Sequence, residues 1–228
     1  METTPQTPEA TTASKNYHKS LDESIAAIKL VLGNATLPGI FEVMQTVGYT
    51  AEKLDSMNAK LALLEQLTQT KTKEDADQSA EQEKYDNKRT DVNKAFVTHR
   101  SLSRILFKLD VHARVSLRLE GEMPKAYANW VEMVSNFYGQ LSSQPELLIK
   151  TTAVGITSEV VTERKQAITD LRSLKESLKK ETAEAQAATD ARDEAFDEIY
   201  PLYSEYISYA KVLLAGNQAL EALGVTVE

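Results

Sequence analysis

Residues 74–81 read Glu74-Asp75-Ala76-Asp77-Gln78-Ser79-Ala80-Glu81, and residues 181–188 read Glu181-Thr182-Ala183-Glu184-Ala185-Gln186-Ala187-Ala188. Each polar stretch lies between apolar segments. If these stretches turn, each half of the chain folds into a small bundle. If they stay helical, each half holds one long helix. Neither contains Gly or Pro, most of their residues are good helix formers, and turn chemistry is missing.

The second deciding observation is a duplication, which has to be found before any fold is argued. Val47-Gly48-Tyr49-Thr50-Ala51-Glu52 returns as Val154-Gly155-Ile156-Thr157-Ser158-Glu159, displaced by 107 residues. The same displacement carries Arg104-Ile105-Leu106-Phe107 onto Lys211-Val212-Leu213-Leu214, and Glu74 onto Glu181. The spacing holds on both sides of the polar middle, so neither copy gained or lost a residue there. Loops tolerate insertions; a helix with a fixed seam does not.

Outward from the middle, residues 51–108 contain no Gly or Pro, and the only breaker in 158–215 is Pro201. A heptad seam runs through Val161, Arg164, Ile168 and Leu171, then Lys175, Leu178 and Thr182, and on to Tyr203, Tyr206, Ala210 and Leu213. In the first copy it is Leu54, Met57, Leu61 and Leu64, then a polar interval, then Val92, Phe96, His99 and Leu106. Gly48 and Gly155 suit helix C-caps, and Thr50 and Thr157 suit the N-caps that follow. Ahead of these, Leu21, Ile25, Ile28 and Leu32 mark a first helix from about Asn16, matched by Trp130, Val134, Phe137 and Leu141.

These features predict an all-α, internally duplicated, elongated helical bundle. Its two long helices span about 51–108 and 158–215 in a pseudo-twofold antiparallel arrangement, each roughly 85–90 Å at ~1.5 Å per residue. The alternative is two tandem three-helix, spectrin-like bundles. The expected organisation is a disordered tail over 1–15, a first repeat over 16–119 and a second over 120–228, or one intertwined domain.

Composition narrows the function. The formal net charge is −8, which argues against a general affinity for nucleic acid or anionic membrane. The basic residues between Lys71 and Lys94 are interleaved with acids, as on a solvated helix face. Absence of Cys excludes disulfides and thiolate metal sites. The N-terminus shows no basic and apolar secretory pattern, and no apolar run nears the ~18 residues of a spanning helix; a cytoplasmic location is expected.

Catalytic constellations are missing. Of three His residues, His18, His99 and His112, none lies in a His-Glu-x-x-His motif, and none follows a Glu by three positions as a di-iron bundle requires. No Gly-rich phosphate loop or serine elbow occurs. No catalytic, cofactor-binding or metal residue is assigned. Asp193, Glu194, Asp197 and Glu198 read as a solvated acidic face. Trp130, Tyr200, Tyr203, Tyr206 and Tyr209 are interface candidates because Tyr and Trp bring large area to contacts. Tyr203 and Tyr206 lie on the seam, with Tyr200 and Tyr209 flanking. Pro201 is the expected kink, and its counterpart is Lys94.

The stretch Asp190-Ala191-Arg192-Asp193-Glu194-Ala195-Phe196-Asp197-Glu198, with Ala219-Leu220-Glu221-Ala222-Leu223-Gly224-Val225, resembles a group of internally duplicated helical bacterial proteins with no assigned activity. That resemblance implies an all-α fold and a bacterial origin, and it brings no catalytic residues.

The expected function is therefore a non-enzymatic structural or protein-interaction bundle, a scaffold or spacer binding a protein partner or itself. Two alternatives stand beside it. One is a membrane-active protein that rearranges on lipid; its longest apolar stretch, Ile207 to Gly216, is interrupted by Lys211. The other is a ferritin-like metal-binding bundle. A specialised role is expected where the two copies differ.

Overall fold

The computed structural model describes residues 20–226. The expected tail, the first residues of the expected opening helix and His18 lie outside them. Among the described residues there are eight helices and no strand.

α1 (Leu21–Asn34) starts at a capping box: the Ser20 hydroxyl accepts from the Glu23 amide, and the Glu23 carboxylate accepts from the Ser20 amide. α2 (Phe41–Gln45) follows. Gly48, at φ 87°, then closes a Schellman motif, its own amide reaching Gln45 O and that of Tyr49 reaching Met44 O. Tyr49 and Met44 are both buried there. Thr50 caps the next helix through its hydroxyl, which accepts from the Lys53 amide.

That helix, α3, runs unbroken from Ala51 to Leu106, 56 residues. The second copy repeats the parts. α5 (Tyr127–Ser143) and α6 (Pro145–Thr152) lead to Gly155, at φ 82°, whose Schellman bonds match those of Gly48. Thr157 caps α7, Ser158–Leu213, also 56 residues. Residues 74–81 and 181–188 are helical throughout, so neither copy turns at its middle and the tandem three-helix alternative is set aside.

Both long helices end two residues before the expected 108 and 215. Phe107 and Leu214 turn inward and are buried, and the chain restarts at α4 (Val111–Ser116) and α8 (Ala219–Ala222). Asp110 caps α4, its carboxylate accepting from the Ala113 amide; Asn217 accepts likewise from Ala219.

Two compact units result. Unit 1 joins the chain up to Gln69 with Ala191 onward, and unit 2 is Thr70–Asp190. Each therefore draws on both repeats. Unit 1 takes α1, α2 and the start of α3 with the end of α7 and α8. Unit 2 takes α5, α6 and the start of α7 with the end of α3 and α4.

Within each unit the long helices run antiparallel. In unit 1, Lys53 meets Glu205 at 3.8 Å and Lys60 meets Glu198. In unit 2, Gln78 meets Thr182 at 3.4 Å, Lys88 meets Asp170 at 2.8 Å and Asp91 meets Arg164 at 2.9 Å. Leu32, Met44, Tyr49, Leu64 and Tyr206 centre the first core. Phe96, Phe107, Leu117, Phe137 and Tyr138 centre the second.

The seam of α7 departs from a strict heptad at three places. Lys175 and Thr182 are exposed, and Leu213 is half-exposed while Leu214 is buried. A straight helix drifts by ~20° per heptad against a 3.5-residue repeat, so burial passes to neighbours such as Leu174.

Candidate interaction face

The aromatic candidates fall in different settings. Trp130 is buried in unit 2, and its indole N–H donates to Asn93 Oδ1 at 3.1 Å. Tyr206 is fully buried in unit 1, edge-on to Tyr49 with ring centroids 4.8 Å apart. Burial pushes its phenol up to about 12, and its hydroxyl has no hydrogen-bond partner among the described residues. Tyr200 and Tyr203 are half-buried and in ring contact with each other, and Tyr209 is exposed. Pro201 lies on an exposed face of the unbroken α7. Tyr49, which the pattern reading passed over, ties Tyr206 and Tyr209 together through ring contacts.

His99 lies half-buried in unit 2. Its Nδ1 is 2.9 Å from the hydroxyl of Tyr138, which is fully buried. Burial, and then the Arg164 charge, lower the pKa of His99, so the neutral ring is favoured.

One group of carboxylates could hold a cation: Glu74, Glu181 and Glu184 have oxygens within 4.8 Å of one another. Ammonium groups already stand against it. Lys73 is 3.0 Å from Glu74 and 2.8 Å from Asp77, and Lys180 is 3.0 Å from Glu184. Lys73, Glu74 and Asp77 map onto Lys180, Glu181 and Glu184 at the 107-residue displacement. The arrangement is a repeated set of ion pairs on two adjoining helices.

A different feature appears at the α3–α4 end of unit 2. Ala113 and Leu117 anchor α4 to the core on one face. That leaves Val111 and Val115, one turn apart, each 69% exposed. Leu109, 93% exposed, and Ile105, 76% exposed, border the same open depression as Val111, and Ile149, 75% exposed, is the chain neighbour of Lys150, which also borders it. Lys150 ties α6 to this end, 3.2 Å from Asp110 and 5.9 Å from the Phe107 ring centre.

Behind α4 the backbone is held firmly. Arg118, at φ 48°, takes the left-handed position that Gly224 takes after α8. The buried Arg100 guanidinium donates to the carbonyls of Arg118, Glu120 and Gly121 at 2.9–3.3 Å. Arg104 donates to those of Leu119 and Gly121. The exposed aliphatic side chains thus project from a fixed frame.

The duplicate copy shows that the fold does not require them. At the same displacement, Leu109, Val111 and Val115 face Gly216, Gln218 and Ala222, and Ile149 faces Glu42. Only Ile105 has an equally exposed apolar counterpart, Val212. The cations differ in step: Lys108, Arg114 and Lys150 stand where the other copy has Ala215, Glu221 and Val43. Pattern reading overlooked this face because short helices carry little periodicity. The signal that could have found it is the position-by-position difference between copies.

Searches against protein-family models, curated proteins and solved structures returned no match to this chain. No helix among the described residues is long and apolar enough to cross a membrane.

Proposed function

We propose that the protein is a non-enzymatic docking protein, a helical frame that presents an interaction face at the α3–α4 end of unit 2. The observation that carries this reading is the set of aliphatic side chains at Leu109, Val111, Val115 and Ile149, exposed where the duplicate copy is small or polar. Scattered exposed apolar residues need no explanation; a contiguous group does. The paired long helices and the Arg100 and Arg104 clamps hold the face in place, so little conformational freedom would be lost on binding.

A photo-crosslinking residue in place of Val111, compared in the native cell with one in place of Gln218, tests the reading. Adducts should form at position 111 in large excess over 218. Equal yields at the two positions would refute it, as would turnover of a substrate that depends on a single side chain.

A further inference from the structure

We infer that the occupant of this face is a lipid surface carrying anionic headgroups. The inference rests on the docking reading above and names its partner.

The shape of the face argues first. A protein partner that docks by its apolar side chains inserts them into a groove or receives anchors in a pocket. Here Leu109, Val111, Val115 and Ile149 are 69–93% exposed, and Leu109 and Val111 border a wide-open depression with Ile105, Phe107 and Lys150 rather than an enclosed pocket. Exposed side chains of this kind fit a medium that closes around them, as the boundary between headgroups and acyl chains does.

Side-chain chemistry argues in the same direction. The exposed apolar residues are all aliphatic; the aromatic anchors that dominate protein hot spots are missing from among them. Their number is also small beside the ~20–30 residues per side of a stable protein interface.

Charge complementarity supplies the headgroup preference. Lys108, Arg114 and Lys150 flank the aliphatic residues, and long basic side chains can lay their stems along apolar surface while the charge reaches headgroups. Lys150 pairs with Asp110 and Arg114 with Glu120, whereas Lys108 makes no ion pair among the described residues. Apolar and cationic residues are both present here and both replaced in the other copy, by Gly216, Gln218 and Ala222 and by Ala215, Glu221 and Val43. A face that takes on both together has the two signals that peripheral attachment uses.

The net charge of −8 does not cancel this. Exposed charges more than about 8 Å apart are largely screened at physiological salt, so an approaching bilayer responds to the nearest groups. Contact is peripheral, since no described helix can span.

Flotation of the full chain with vesicles tests the inference. Vesicles of equal phosphatidylcholine and phosphatidylglycerol should carry the protein upward, and vesicles of phosphatidylcholine alone should not. Leu109→Ser with Val111→Ser should lower the partition coefficient about tenfold or more. Lys108→Glu should lower it as well and flatten its salt dependence. Val212→Ser, in unit 1, should leave it unchanged. These positions are exposed, so far-ultraviolet circular dichroism should be the same for all four proteins.

Equal flotation with both vesicle types, or flotation indifferent to Leu109→Ser with Val111→Ser, overturns the inference. So does a dimer in sedimentation equilibrium that the same double substitution abolishes, because the occupant is then a second copy. Absence of flotation combined with a polypeptide adduct at position 111 overturns the lipid assignment and leaves the docking reading standing. Absence of both removes both.

Discussion

Glu74 and Glu181 occupy the same place in the two copies, and in the folded chain their carboxylates lie side by side, within 4.8 Å together with that of Glu184. An antiparallel pair of duplicated helices brings equivalent residues together at its crossing. Like charges meet there, and Lys73 and Lys180, themselves equivalent, supply the compensation.

A double-mutant cycle on Glu74→Gln and Glu181→Gln should therefore give a repulsive coupling of about 0.5 kcal/mol, the scale of exposed like-charge pairs. Urea unfolding of the four proteins measures it. An attractive coupling would contradict the ion-pair description and point to a shared proton or cation.

Ser103 is fully buried, and its hydroxyl has no partner among the described residues, while the equivalent position in the other copy is Ala210. A buried unsatisfied polar group costs about 1–3 kcal/mol. Ser103→Ala should raise stability by about 1 kcal/mol in denaturant unfolding. A loss of stability would show that the hydroxyl is satisfied, for example by a buried water.

Pro201 lies inside α7, where the first copy has Lys94. Proline in a helix interior removes a backbone donor and crowds the preceding turn, at a cost of ~3 kcal/mol. Pro201→Ala should stabilise unit 1 by about 1–3 kcal/mol, read as a higher midpoint in urea. An unchanged midpoint would mean that the local backbone has fully adapted to the ring.

His99 makes stability depend on pH in a defined direction. Burial and Arg164 lower its folded pKa below the usual 6.5, so on acidification the unfolded chain takes up the proton first. The His99 contribution is intact above about pH 6.5 and is lost as pH falls from there through the folded pKa. His99→Tyr, the residue of the equivalent position 206, should flatten the slope of unfolding free energy between pH 7.5 and 5.5. An unaltered slope would show that His99 does not carry the dependence.

The long helices were legible because their determinants are local and repeated. Gly48 and Thr50, with Gly155 and Thr157, set the boundaries by capping chemistry that needs no tertiary partner, and the fixed 107-residue displacement ruled out an indel in the polar middle. The ends near 106 and 213 were less legible, because Phe107 and Leu214 leave the helix for a core that the linear sequence does not display. The heptad slipped at Lys175 and Thr182 for a related reason: a regular period fixes which residues share a face, but not the drift of that face over eight heptads.

By itself the sequence determined the helical class, the duplication and the two long helices, since periodicity, caps and repeat spacing are properties of consecutive residues. Tertiary structure alone decided which exposed aliphatic residues matter. Val111 and Ala113 look alike in a string of amino acids; Ala113 is buried and Val111 stands in solvent because α4 turns one face to the core. Burial depends on residues distant in the chain, and those become neighbours only when it folds.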